Sequence, residues 1–199
     1  MTHFISEVSS NHARDLERCF KFIDISAEIG CDSVKFQLFR IKDLFSPEAL
    51  RAKPEIKLRE AWELPIDFIP DIKKRCDLKN IQFGCTPFYL DAVPILADYV
   101  DYFKIASYEL LWHDLIQACA ETGKPMIIST GMADMPEINK ALSVISKYGK
   151  ASPVILHCNS SYPSVASDVN LACMKTIREE TSCKVGWSDH SVSKNIVLR

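Results

Sequence analysis

Seven short apolar runs rich in strand-forming residues recur along the 199-residue chain, with helical stretches between them. The runs are Phe4–Val8, Ser33–Leu38, Ile81–Cys85, Tyr102–Ala106, Met126–Thr130, Val154–His157 and Lys184–Trp187. Helical spacing falls over Arg14–Ile29 and Pro65–Leu78, and near 90–98, 112–122, 135–149 and 168–181. In the first of these, Leu16, Phe20, Ile23 and Ala27 share one helical face. Asp134 ahead of Pro136 and Glu137 is an N-terminal helix signature, and Gly30, Gly123 and Gly149 suit C-terminal stops. Residues 41–65, carrying Pro47, Pro54 and Pro65, read as a long irregular excursion. Strands separated by helices pair in parallel, because a parallel crossover needs a connection of that length. Two architectures fit: an open doubly wound sheet and a (β/α)8 barrel. No G-x-G-x-x-G and no G-x-x-x-x-G-K-[ST] follows a strand, which weakens the nucleotide-binding open sheet. The expected fold class is therefore α/β of the TIM-barrel type, incomplete, with about seven β/α units. Residues 1–199 are expected to be one partial barrel with no second domain.

Composition narrows the function classes. Hydrophobic residues make up 47% and charged residues 25%, values of a globular domain. A net charge of -2 offers no basic excess for nucleic acid or an anionic membrane surface. No apolar run reaches the roughly 18 residues of a membrane-spanning helix, and the N-terminus shows no signal-peptide pattern. Eight cysteines without a C-x-x-C pair argue for buried, reduced thiols and a cytoplasmic protein rather than a disulfide framework or zinc knuckle.

Polar residues gather where the strands end. Glu7 closes the first run, and Lys35 and Gln37 lie within the second. Thr86 follows the third, and Lys104 sits in the fourth, which leads to Ser107 and Glu109. Ser129 ends the fifth, Ser160 and Tyr162 follow the sixth, and Ser188, Asp189 and His190 follow the seventh. In a barrel these ends share one mouth, where active sites form. Lys35 and Lys104 interrupt apolar strands, and a buried ammonium needs an anionic partner. Each lysine pairs with a neighbouring carboxylate such as Glu7 or Glu109, or the two bind a phosphate or carboxylate with hydroxyl donors around them. A Schiff-base lysine, as in class I aldolases, also fits. His190 is a candidate metal ligand, His12 and His157 are weaker ones, and Trp62, Trp112 and Trp187 read as packing residues.

Several segments together resemble the N-acetylneuraminate (sialic acid) synthase family. They are Ile5-Ser6-Glu7-Val8-Ser9-Ser10-Asn11-His12, Val34-Lys35-Phe36-Gln37, Thr86-Pro87-Phe88, Phe103-Lys104-Ile105-Ala106-Ser107-Tyr108-Glu109, Gly123–Met132, Leu156–Pro163, Asp168-Val169-Asn170-Leu171 and Gly186-Trp187-Ser188-Asp189-His190. The resemblance implies a (β/α)8 barrel that condenses phosphoenolpyruvate with an acylamino sugar such as N-acetylmannosamine. It implies that Lys35, Thr86, Lys104, Ser107, Ser129, Ser160 and Ser188 hold phosphoenolpyruvate. Glu7, Gln37, Glu109, Tyr162 and Asp189 would contact or polarise the sugar and the reacting water. His190 would bind Mn2+ or Mg2+, with a second protein ligand expected outside this chain.

The sequence departs from the family pattern at Cys158-Asn159-Ser160, at Ser9-Ser10 and at Gln37-Leu38-Phe39. The resemblance also implies an eighth strand with a second metal-binding histidine and a C-terminal antifreeze-like domain, which completes the partner's site in a homodimer. Ending at Arg199, the chain is expected to lack both, and weak or absent turnover follows. The alternatives are a Schiff-base aldolase on the same fold and an inactive remnant that keeps the phosphate or sugar site.

Overall fold

The computed structural model describes residues 2–192, so the expected single domain over 1–199 includes Met1 and residues 193–199, which lie outside the described residues. The chain divides into two compact units, one up to Phe103 and the other from Lys104 onward.

The first unit is built on parallel strands β1 (Ile5–Glu7), β2 (Ser33–Leu38), β3 (Gln82–Pro87) and the start of β4 (Tyr102–Ile105). They pair in chain order, with Ile5 opposite Ser33, Val34 opposite Phe83 and Gly84 opposite Tyr102. Val34, Phe36, Phe83 and Phe103 are wholly buried, as expected of parallel strands covered on both faces. Phe36 and Phe83 meet edge-on with centroids 6.0 Å apart. Each buried phenylalanine contributes about 2 kcal/mol through apolar burial alone.

Helix α1 (Leu16–Glu28) follows β1, capped by the Asp15 side chain, which accepts from the Arg18 N–H. Its buried residues are Cys19, Ile23 and Ser26, a face displaced from the Leu16–Phe20–Ile23–Ala27 stripe. The displacement has a chemical reason. Phe20 turns partly outward beneath the Arg75 guanidinium, while Ser26 is tolerated inside because its hydroxyl donates to the Phe22 carbonyl at 2.7 Å.

Residues 41–65 are more ordered than expected. They form α2 (Ile41–Leu44), α3 (Pro47–Ala52) and a 3-10 helix over Pro54–Trp62. Phe39, Ile41 and Ile56 make a small separate core there, with Phe45, Leu50 and Phe88 packed against it. A 3-10 turn at Ile66–Phe68 leads into α4 (Ile69–Leu78), and α5 (Ala92–Ala97) follows β3.

The second unit holds the end of β4, α6 (His113–Glu121), β5 (Met126–Ser129), α7 (Met135–Tyr148), β6 (Val154–Cys158), α8 (Cys173–Thr181) and β7 (Lys184–Ser188). β5, β6 and β7 are parallel, with Ile127 opposite Val154 and Cys158 opposite Ser188. α7 opens with a full capping box between Asp134 and Glu137, as the sequence predicts. Gly123 takes a left-handed backbone after α6. Gly149 instead ends α7 in extended form, where a Cβ would press on the Ile145 carbonyl. α8 starts five residues later than expected, because a 3-10 turn at Ala166–Asp168 and a left-handed Asn170 precede it. All eight cysteines are free thiols.

Candidate active site

In the first unit, register brings four of the expected residues together at the C-terminal ends of the strands. Glu7 stands opposite Lys35, and Gln37 opposite Thr86. The Lys35 ammonium forms an ion pair with Glu7 and donates to the Thr86 hydroxyl at 3.3 Å. Lys35 is 7% exposed and Thr86 1%, whereas the Glu7 side chain remains 41% exposed. The ammonium is thus desolvated, compensated by one carboxylate that faces solvent. The other Glu7 oxygen accepts from the Ser9 N–H at 2.9 Å, which orients it. Gln37, two positions beyond Lys35 and so on the same strand face, is half-buried. Cys85, fully enclosed nearby, has its thiol pushed up to about 12 by burial, against the Lys35 charge, and is inert. His12 is wholly buried, and its Nδ1 accepts from the Arg14 N–H at 3.0 Å. Burial, reinforced by the Arg14 charge, lowers its pKa, so it is a neutral core histidine.

The second unit gathers a larger set. Lys104, 6% exposed, donates to the Ser129 hydroxyl and to the Ile105 carbonyl, the latter at 3.0 Å. The Gly131 N–H donates to the Ser107 hydroxyl at 3.1 Å. A Cβ at Gly131 would run into the hydroxyls of both Ser160 and Ser107, so three strand-end loops converge on a point only glycine can occupy. A ring of hydroxyls and a backbone N–H beside a buried ammonium is suited to an anion. Glu109 follows in the 3-10 turn Ser107–Glu109, with Oε2 buried and without a hydrogen-bond partner among the described residues. Burial pushes its carboxyl up to about 7, against the pull of its own N–H and of Lys104.

At the end of β7 the His190 ring is held on both sides. Nδ1 lies 2.7 Å from the Asn159 carbonyl, which can only accept, so Nδ1 carries the proton. Nε2 therefore accepts from the Tyr162 hydroxyl at 3.0 Å, and the two rings stack with centroids 4.0 Å apart. Cys158 Sγ is 3.7 Å from Nδ1. Burial raises the Cys158 thiol, but hydrogen bonds with His190 and Ser107 outweigh it and the thiol ends below its ordinary value. Burial lowers His190, yet Cys158 and the Asn159 carbonyl bring it above its ordinary value. Asp189 turns away from this group: its oxygens accept from the Ser191 N–H at 2.8 Å and the Ser191 hydroxyl at 3.1 Å. Ser188 is half-buried opposite Cys158. His157, half-buried, bonds the Val169 carbonyl at 2.7 Å.

A histidine whose Nδ1–H is fixed on a carbonyl can offer Nε2 to a metal, here once the Tyr162 hydroxyl that bonds Nε2 is displaced. His190 fits one ligand position for a divalent cation in that sense. Among the described residues, no group of three His, Cys, Asp or Glu side chains joins into a complete metal site. The contributions of Gly131, Cys158 and Asn159 were not evident from residue type. Gly131 carried the only positional signal, a glycine immediately beyond a strand end.

Comparison with known proteins decides the lineage. A profile of the NeuB family matches residues 22–198. This chain belongs to the NeuB family. It is 34% identical to the N,N'-diacetyllegionaminic acid synthase of Campylobacter jejuni, over 99% of this chain and 63% of that protein. It is 25% identical to the N-acetylneuraminate-9-phosphate synthase of Drosophila melanogaster, over 96% of this chain and 54% of that protein. The crystal structure of the N-acetylneuraminic acid synthetase of Leptospira borgpetersenii superposes with a TM-score of 0.90 at 31% identity, covering 98% of this chain and 67% of that one. The fold class is α/β of the TIM-barrel type, and the chain is related to enzymes named as synthases. It spans about three fifths of the length of the first curated relatives, at 56% and 63%. Among the described residues, no helix is long and apolar enough to cross a membrane.

Proposed function

We propose that this chain carries out the chemistry of a phosphoenolpyruvate-dependent nonulosonic acid synthase on an acylamino sugar, in the cytoplasm. The observation that carries this reading is the buried Lys104 against Ser129, next to the Gly131 N–H with Ser107 and Ser160 around it. Such a site is built to take an oxyanion out of water, and phosphate is the group whose charge the reaction must hold as it leaves. The first unit presents a second buried ammonium, Lys35, with the Thr86 hydroxyl as its partner.

In this reaction C3 of phosphoenolpyruvate attacks the aldehyde carbon of the open-chain sugar and forms the new C–C bond. Water adds at C2, the C2–O bond breaks, and inorganic phosphate departs with the bridging oxygen. Lys104, Lys35 and the serine hydroxyls bind and orient the phosphate and carboxylate. Glu109, held protonated up to about pH 7, has a proton to give to the developing alkoxide oxygen. Glu7, Gln37 and Tyr162 supply polar contacts for the sugar, and Asp189 polarises the reacting water once freed from Ser191. When bound at His190, a Mn2+ or Mg2+ ion supplies Lewis-acid polarisation of the aldehyde. A homodimer is the expected assembly.

The test is direct. The chain is incubated with phosphoenolpyruvate, Mn2+ and either N-acetylmannosamine or a diacetamido hexose, and phosphate is assayed together with phosphoenolpyruvate binding. Saturable phosphoenolpyruvate binding and weak sugar-dependent phosphate release are expected. Borohydride trapping of pyruvate on Lys104 would instead establish Schiff-base chemistry and sink this reading.

The glycine cradle makes its own prediction. Gly131→Ala should weaken phosphoenolpyruvate binding by about 10-fold or more, since one misplaced donor to an oxyanion has an effect of that size or larger. Isothermal titration checks it, and unchanged affinity would remove the cradle from the site.

A further inference from the structure

The loop after β1 runs against the preferences of its own residues. The Asp15 N–H donates to the His12 carbonyl at 2.9 Å and closes a turn whose two central residues, Ala13 and Arg14, have φ of +49° and +55°. Such positions favour asparagine and glycine, and alanine and arginine are strained in them. Ser9, earlier in the same loop, is also left-handed, with φ of +51°. Strained backbone of this kind is kept only where surrounding contacts over-determine it, and it gathers at functional sites. This loop bears on such a site, because the Ser9 N–H is the group that orients the Glu7 carboxylate.

The contacts that hold the turn come from Arg14 itself. Its Nη1 donates to the carbonyls of Glu60 and Glu63, each at 3.2 Å. These carbonyls lie at the end of the 3-10 helix over Pro54–Trp62, where a cation also meets the negative end of the helix dipole. The Glu63 side chain in turn accepts from the Ile41 N–H at 2.7 Å, at the start of α2. On its inner side, the Arg14 N–H donates to Nδ1 of the wholly buried His12 at 3.0 Å. One arginine thus ties the loop after β1 to both ends of the connection after β2. A glycine would adopt this backbone without strain but has no side chain to reach residues 60 and 63. We infer that Arg14 is a positioning residue: by clamping the end of the 54–62 helix it holds the Ser9–Arg14 loop in shape, and so keeps the Ser9 N–H on Glu7 and that carboxylate aimed at the acceptor sugar. The inference rests on the proposed reaction only for what Glu7 meets, and the clamp is tested without turnover.

Two variants of the full chain separate strain from clamp. Arg14→Gly removes both the clamp and the left-handed strain, whereas Arg14→Ala removes the clamp and keeps the strain. Arg14→Gly should therefore melt above Arg14→Ala. Well below both melting temperatures, hydrogen exchange is read by NMR at the Ser9, Asn11 and Ala13 amides. Titration calorimetry then measures phosphoenolpyruvate, N-acetylmannosamine and a diacetamido hexose. In both variants exchange at these amides should quicken about 10-fold, as the loop opens locally. The sugar that the wild type binds more tightly should bind about 10-fold more weakly, the effect of displacing one charged hydrogen-bond partner. Phosphoenolpyruvate affinity should change by less than about 3-fold, because the Val8 N–H holds the Lys35 carbonyl separately at 2.9 Å. Unchanged sugar affinity in Arg14→Gly, whatever the exchange, would overturn the inference and leave the proposed reaction standing. Weaker sugar binding without faster exchange would make Arg14 a direct sugar contact and overturn it too. Sugar and phosphoenolpyruvate affinities that fall together would do the same, as the mark of a general structural role. If the wild type binds neither sugar while exchange quickens in both variants, the proposed reaction fails and the clamp stands.

Discussion

Lys104→Met is expected to lower sugar-dependent phosphate release by about 100- to 1,000-fold, the usual effect of removing one charge-stabilising donor. The ammonium is 6% exposed and donates to the Ser129 hydroxyl and the Ile105 carbonyl. Burying an ammonium costs desolvation energy. A bound oxyanion would meet that charge in a site shielded from water, where the attraction is stronger than in bulk solvent. Methionine keeps most of the apolar stem and removes the charge, so the melting temperature should hold or rise while activity collapses. That combination separates a binding group from a structural one. A lysine needed for the fold would give the opposite pattern, with lower melting temperature and activity falling only in proportion to folded protein. A loss of less than 10-fold in phosphate release, with phosphoenolpyruvate affinity unchanged, would take Lys104 out of the site.

Much of this arrangement was legible in the sequence, for a physical reason that also marks where legibility ends. Both ends of β2 are legible because Val34, Phe36 and Leu38, at every second position, are all buried and give a clear period-2 apolar signal. Lys35 and Lys104 stood out because they interrupt such runs. The helices between 41 and 62 gave no comparable signal. Elements of four to nine residues are too short to show a period, and their stability comes from Phe39, Ile41 and Ile56 meeting in space. Residue type also could not rank the histidines. His12 and His190 are each a lone histidine beyond a strand, yet one is wholly enclosed beside Arg14 while the other is clasped between the Asn159 carbonyl and Tyr162. Asp189, expected to face the sugar or the reacting water, has its carboxylate taken up by Ser191 two residues on. Partners at that range depend on loop conformation, which composition does not encode.

Glu109→Gln should show both a catalytic and a thermodynamic effect. The carboxyl is pushed from about 4.5 up to about 7, chiefly by burial, with Oε2 left without a hydrogen-bond partner among the described residues. The folded state therefore holds this proton more tightly than the unfolded chain does. The resulting stabilisation is fully present below pH 4.5 and is lost as pH rises towards 7, because ionisation inside the fold opposes burial. Glutamine mimics the neutral carboxyl at every pH. The variant should therefore match the wild type in acid and exceed it above pH 7, by about 2 kcal/mol once partial exposure is discounted. Phosphate release should fall by about 100-fold, since an amide cannot give up a proton as a carboxylic acid does. Denaturation monitored across pH 4 to 8, alongside the phosphate assay, reads both effects on one pair of proteins. If the stabilities of the two proteins fall in parallel with pH, the carboxyl is not titrating in a buried site. If stability diverges as expected but turnover is unaffected, Glu109 is a buried acid with no part in the reaction, and the proton for the alkoxide comes from elsewhere.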